Sequence, residues 1–104
     1  MPRVFGMTPL RLRLMVLLAT CGAPELCGAE IARDAELTTG GVYLVLHDLD
    51  EAGWVESRWE DGDPRRLGRP RKRFYRLTPE GLNEAVKGVM DEHPAFKPQR
   101  SGQA

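Results

Sequence analysis

Seven basic residues and no acid fall within residues 64–76: Arg65, Arg66, Arg69, Arg71, Lys72, Arg73 and Arg76. A run of this kind makes and breaks no bonds. Its chemistry is ionic, the exchange of counterions condensed on a polyanion for fixed guanidinium and ammonium groups. Residues 25–63 carry the opposite sign, eleven acids against Arg33 and Arg58, a local charge of −9 beside the +7. The 104 residues sum to zero net charge, so it is the asymmetry that points to a basic contact element mounted on an acidic body, with a nucleic-acid backbone as the partner that fits.

Catalytic chemistry finds no comparable set. The sequence holds no carboxylate pair or His-acid-nucleophile set at a convincing spacing, and no glycine-rich phosphate loop after a strand. No catalytic residue is assigned, and an enzyme is set aside. Cys21 and Cys27 have no partner cluster to complete a zinc site, and read as small buried thiols rather than a redox pair. No metal and no cofactor is expected. The longest apolar run, residues 14–19, is far too short to cross a bilayer, which predicts a cytoplasmic protein without a membrane partner. With 41% hydrophobic and 29% charged residues, the chain suits one globular domain.

The elements that must position the basic run can be read from local signals. Thr38 is an N-cap, Leu37 and Val42 form a hydrophobic staple, and Val42, Val45, Leu46 and Leu49 recur at helical spacing. Gly53 is placed to close this helix, with Trp54 folding back on Leu49. Gly40-Gly41 in its first turn leaves a bare backbone that could meet a phosphate closely, or simply sits where a helix frays. Upstream, Thr8-Pro9 opens a first helix, in which Leu10, Leu14, Leu17, Leu18 and Cys21 form one apolar face and Leu12, Met15 and Ala19 another, the second suited to another subunit. Gly22-Ala23-Pro24 breaks it, and a short helix is predicted over residues 26–34. The two short helices flanking residues 34–37 make a helix-turn-helix pattern.

Downstream, residues 54–60 alternate as a strand with Val55, Ser57 and Trp59 on one face. Residues 61–70 read as a loop, and residues 71–77 as the return strand with Tyr75 and Leu77 inward. Thr78-Pro79-Glu80 starts a last helix whose Leu82, Ala85, Val86, Val89 and Met90 share a face, ending near His93-Pro94. The fold class is therefore mainly α (α+β): a winged helix-turn-helix of three helices, a two-stranded β-wing and a C-terminal helix. Residues 1–7 are a flexible tail, 8–78 the DNA-binding domain, 79–93 a dimerisation helix, and 94–104 a disordered tail.

At these residues the chain resembles the PadR family of bacterial transcriptional regulators. Gly28-Ala29-Glu30-Ile31-Ala32, residues 40–49 and Gly53-Trp54-Val55-Glu56 follow its pattern. Gly68-Arg69-Pro70-Arg71-Lys72 and Tyr75-Arg76-Leu77-Thr78-Pro79-Glu80-Gly81 match its wing and the exit from it. The resemblance implies a homodimeric repressor on double-stranded DNA, with residues 38–52 in the major groove and the wing, residues 61–73, on the backbone or minor groove. It carries Thr38, Thr39, Gly40 and Tyr43 to the groove-facing helix, and Arg69, Arg71 and Lys72 to the wing.

Residue chemistry extends that set. Thr39 and Leu44 suit a thymine methyl, and Tyr43 suits a phosphate better than a base. His47 is either a phosphate contact or a half-buried polar residue, with the second favoured. Asp48 stands where the family commonly has a base, and would repel phosphate if it faced DNA. Arg65 and Arg66 lie in the wing loop as further backbone contacts, whereas Arg73 and Arg76 suit pairing with the acidic body near Glu56 or Glu60. Leu12, Met15, Leu82, Val86, Val89 and Met90 form the expected dimer interface. A small-molecule effector stays open as a partner. The rival from another class is a winged-helix protein-binding adaptor, favoured by the acidic body and opposed by the wing.

Overall fold

The computed structural model describes residues 6–92. The tails read over residues 1–7 and 94–104, and the stop at His93-Pro94, lie outside the described residues except for Gly6 and Met7. Met7 packs against the core rather than belonging to a loose tail. Helix α1 (Pro9–Thr20) opens as its sequence dictates, the Thr8 hydroxyl accepting the Arg11 amide at 3.1 Å ahead of Pro9. Leu12, Leu14, Met15 and Leu18 are all buried within the chain's own core. That corrects the assignment of Leu12 and Met15 to a subunit-facing side. Helices α2 (Gly28–Ala35), α3 (Thr39–Glu51) and α5 (Pro79–Glu92) and strand β3 (Arg73–Leu77) all pack on α1, and a helix surrounded in this way needs apolar residues on nearly every side.

Residues 26–27 are not the start of the second helix but a short strand, β1 (Leu26–Cys27). Helix α2 (Gly28–Ala35) follows, capped where the Glu30 carboxylate accepts the Cys27 amide at 3.0 Å. That hydrogen bond holds the Glu30 carboxyl below its ordinary range. The turn after α2 is tight because Glu36 adopts a left-handed conformation (φ 59°), letting the Leu37 amide reach the Ala32 carbonyl at 2.9 Å. Arg13 of α1 donates to the Ala35 carbonyl at the same helix end.

Helix α3 (Thr39–Glu51) has the predicted cap, Thr38 Oγ1 accepting from the Gly41 amide at 3.2 Å. It ends in a Schellman turn at Gly53 (φ 80°), with Gly53 N–H on the Asp50 carbonyl at 3.0 Å and Trp54 N–H on the Leu49 carbonyl at 2.9 Å. Val42, Leu46 and Leu49 bury its inner face.

The wing consists of β2 (Val55–Trp59) and β3 (Arg73–Leu77), antiparallel, with Val55 opposite Leu77 and Trp59 opposite Arg73. β3 starts two residues later than the sequence suggests. The sheet has three strands in the order β1-β3-β2 rather than the two expected, because β1 pairs with the far edge of β3, Leu26 opposite Tyr75. Within the expected loop lies one helical turn, α4 (Pro64–Leu67), opened by the Asp63 carboxylate accepting the Arg65 amide at 3.0 Å and closed by Gly68 (φ 72°).

Helix α5 (Pro79–Glu92) is joined to the end of α3 through Thr78. Its hydroxyl accepts the Gly81 amide at 2.9 Å and donates to the Gly53 carbonyl at 2.7 Å, while its own amide donates to the Trp54 carbonyl at 3.1 Å. A Cβ at Gly81 would stand 1.9 Å from the Trp54 carbonyl oxygen, so only glycine allows this approach. The whole is a winged helix-turn-helix.

Candidate nucleic-acid interface

The outward side of α3 offers Thr38, Thr39, Gly40, Leu44 and His47 to solvent. Leu44 is 72% exposed, an apolar side chain open to contact with an apolar group such as a methyl. The side chain of His47 is well exposed, its Nε2 3.3 Å from Glu51 one turn on, so the half-buried reading is corrected. Asp48 is turned toward α1, where it pairs with Arg11 at 3.4 Å. Its charge is thereby balanced within the chain.

Tyr43 serves two purposes. It is 43% exposed, yet its ring lies over Gly28, where a Cβ would fall 2.6 Å from the phenol carbon and oxygen. Its centroid is 6.3 Å from that of Tyr75, the rings tilted by 54°. Gly28 is therefore the seat for an aromatic ring bridging α2, α3 and β3.

On the wing the cations divide. Arg69 donates to both oxygens of Glu60 at 2.6 and 2.9 Å, and the Lys72 amide donates to the same carboxylate at 3.1 Å. The Arg69 bonds first, and the Lys72 amide next, hold the Glu60 carboxyl down to about 2. Arg69, assigned from sequence to DNA, is thus occupied in closing the wing, because Glu60 at the end of β2 faces it across the loop. Arg58 donates to Glu25 at 3.1 Å and lies 5.0 Å from the Phe74 ring centroid. Arg76 pairs with Glu56, as its position suggests. Arg65, Arg66, Arg71 and Lys72 are exposed, and their side chains form no hydrogen bond or ion pair among the described residues.

Two further residues join this surface that sequence reasoning placed elsewhere. Arg73 donates to Ser57 Oγ at 3.0 and 2.8 Å rather than to an acid, and its guanidinium lies 5.1 Å from the centroid of Trp59. Trp59 shares its face with Val55 and Ser57, and exposure rises along that face from buried Val55 to Trp59 at 53%. The pairing of Trp59 with Arg73 was available from hairpin register; how far the core extends was not.

On the opposite side, Val16 and Ala19 of α1 and Leu82, Val86, Val89 and Met90 of α5 line an open apolar groove of about 220 Å³. Leu82 and Val86 are 47% and 46% exposed. Among the described residues no group of His, Cys, Asp or Glu could hold a metal ion, and no helix is long and apolar enough to cross a membrane.

The model of the transcriptional regulator PadR-like family matches residues 25–87. Among curated proteins nothing matches. Solved structures sharing the fold include AbsC, a MarR family transcriptional regulator from Streptomyces coelicolor, with a TM-score of 0.67 and 19% identity over 86% of this chain and 55% of that one. The Bacillus subtilis PadR in complex with operator DNA superposes with a TM-score of 0.67 and 19% identity over 91% of this chain and 51% of that one. The transcriptional regulator homologue from Pyrococcus horikoshii OT3 gives a TM-score of 0.60 and 23% identity over 81% of this chain and 82% of that one. At such identities the likeness is one of fold. The chain spans a little over half the length of AbsC and of the B. subtilis protein.

Proposed function

The chain belongs to the PadR-like family of transcriptional regulators, and from that premise we propose that it is a homodimeric repressor binding double-stranded DNA sequence-specifically. The observation that carries the proposal is the group of four exposed, unpaired cations, Arg65, Arg66, Arg71 and Lys72, on the wing that flanks the solvent-facing side of α3. In this reading α3 enters the major groove by its N-terminal half. Thr38, Thr39 and Gly40 bring amides and the positive end of the helix dipole to the backbone. Thr39 and Leu44 read thymine methyls, and Tyr43 meets a phosphate. His47 lies at the edge of this contact. The wing cations neutralise phosphates of the adjacent minor groove and supply most of the affinity, with Arg69 stiffening the wing instead of touching DNA.

The second copy would cover the apolar groove, using Leu82, Val86, Val89 and Met90, with Val16 and Ala19 taking the place of Leu12 and Met15. Two α3 helices related by a two-fold axis read half-sites about one helical turn apart. Repression then follows from occupancy of promoter DNA. The operator DNA in the B. subtilis structure supports this reading, as does the family's description as regulators. A cytoplasmic location goes with it.

The test is a titration of the purified chain against a fluorescent duplex from upstream of its own gene and against a scrambled duplex, at several salt concentrations. Tight, sequence-dependent and salt-sensitive binding of two chains per site is expected. Weak and equal binding to both duplexes would overturn the proposal and leave a winged-helix protein-binding adaptor.

A further inference from the structure

Between α3 and the wing runs a cleft of about 380 Å³, lined by Tyr43, Trp59, Tyr75, Arg71, Lys72 and Arg73 and by no carboxylate. We infer that this cleft holds one sugar-phosphate strand of duplex DNA, with Trp59 packed on a deoxyribose and Arg71 and Lys72 on the phosphates beside it. The inference rests on the DNA-binding reading above. Its first support is geometric. A helix in a major groove and a wing over the neighbouring minor groove are separated on the duplex by a single backbone strand. Whatever separates the two elements on the protein must take up that strand.

The second support is the chemistry of the lining. A sugar-phosphate strand alternates an anionic group with an apolar, C–H-rich ring, and the cleft alternates cations with aromatic surfaces. The third is preorganisation. Ser57 Oγ donates to Asp50 Oδ2 at 3.4 Å near the end of α3 and accepts two bonds from Arg73, which stacks on Trp59. The indole is fixed through its neighbours to the same helix that enters the groove, so little side-chain freedom is lost on docking. Trp59 is nonetheless more than half exposed, so much of its ring away from Arg73 is open to a partner.

A sugar contact by an uncharged ring has a distinctive signature. It is indifferent to base sequence and to salt, unlike the cation and methyl contacts assigned to this surface. Trp59→Ala should weaken binding to the operator and to scrambled duplex alike by roughly tenfold, with the slope of log K against log salt unchanged. Trp59→Phe should recover most of the loss. Arg71→Ala or Lys72→Ala should each lower the slope by about one.

The chain has two tryptophans, and the other, Trp54, is buried. Acrylamide quenching of the wild type against Trp59→Phe therefore isolates the emission of Trp59. Saturation with duplex, followed independently by anisotropy, should protect Trp59 from quencher and leave Trp54 unaltered. If duplex binds by anisotropy while Trp59 stays as open to quencher as in the free protein, the inference falls and the DNA reading stands. If no duplex binds even at low salt, both fall.

Discussion

The two faces of the wing treat the same kind of residue in opposite ways. On the outer face, β-strand alternation places Glu56, Arg58, Phe74 and Arg76 together, and the arginines are matched by Glu25 and Glu56. On the face turned to α3, Arg73 meets a hydroxyl and an indole, while the Arg71 and Lys72 side chains just before β3 form no ion pair or hydrogen bond with an acid among the described residues. The basic run thus splits into charge spent within the chain and charge left for a partner. What can be offered to a polyanion is set by which of the bases find a carboxylate within the fold, and the segment's total charge overstates it.

Each of the following changes presses on that contrast. The largest effect belongs to the joint beneath both faces. Gly81→Ala forces a Cβ against the Trp54 carbonyl and should cost about 3 kcal/mol, read as a lowered urea midpoint, with the two faces lost in a single transition. A transition that loses one face first would show them to be independent.

Next come paired double variants. Arg71→Ala with Lys72→Ala should lower the salt slope of DNA binding by about two. Arg58→Ala with Arg76→Ala should leave it where it was. Equal slopes from the two variants would erase the distinction between the faces.

A smaller, opposite effect is expected from Glu60→Gln, which transfers Arg69 from the spent set to the available one. The slope should steepen by about one, provided the wing keeps its shape. Glu60 also ties that shape to pH. Its carboxyl is held from 4.5 down to about 2 in the folded chain, so its contribution is fully present above the ordinary carboxylate range and is lost as pH falls through about 2. The Lys72 amide resonance should titrate there in the wild type and stay flat in Glu60→Gln.

The smallest change lies on neither face. Glu36→Gly relieves a left-handed non-glycine residue in the turn before α3 and should raise stability by about 0.5–1 kcal/mol. DNA affinity should not follow it.

What the residues disclosed in advance was what short-range chemistry decides. Thr38, Val42, Gly53 and Trp54 sit within a few residues of the groups they bond, and the bounds of α3 follow from them. Asp63-Pro64 carried the same kind of signal as Thr8-Pro9, a cap followed by a proline, and α4 was missed because the surrounding glycines and prolines suggested open loop. β1 could not be read, since two residues show no alternation and their partner Tyr75 lies far along the chain. Leu12 and Met15 were misplaced because an all-round apolar helix looks the same whether its own domain or a second subunit encloses it. Arg69 went astray for a related reason. Its distance in sequence from Glu60 hides a contact that the hairpin makes short.

Thr78 gives the molecule a mechanical property. One hydroxyl is bonded to both the chain leaving α3 and the first turn of α5, so the start of one helix is tied directly to the end of the other. In any pair of copies that meet through the groove of α1 and α5, the pitch between their α3 helices would follow from how those last helices cross. A side-chain change in the groove between α1 and α5 would then retune which operator spacing fits the proposed dimer, without altering a residue proposed to contact DNA.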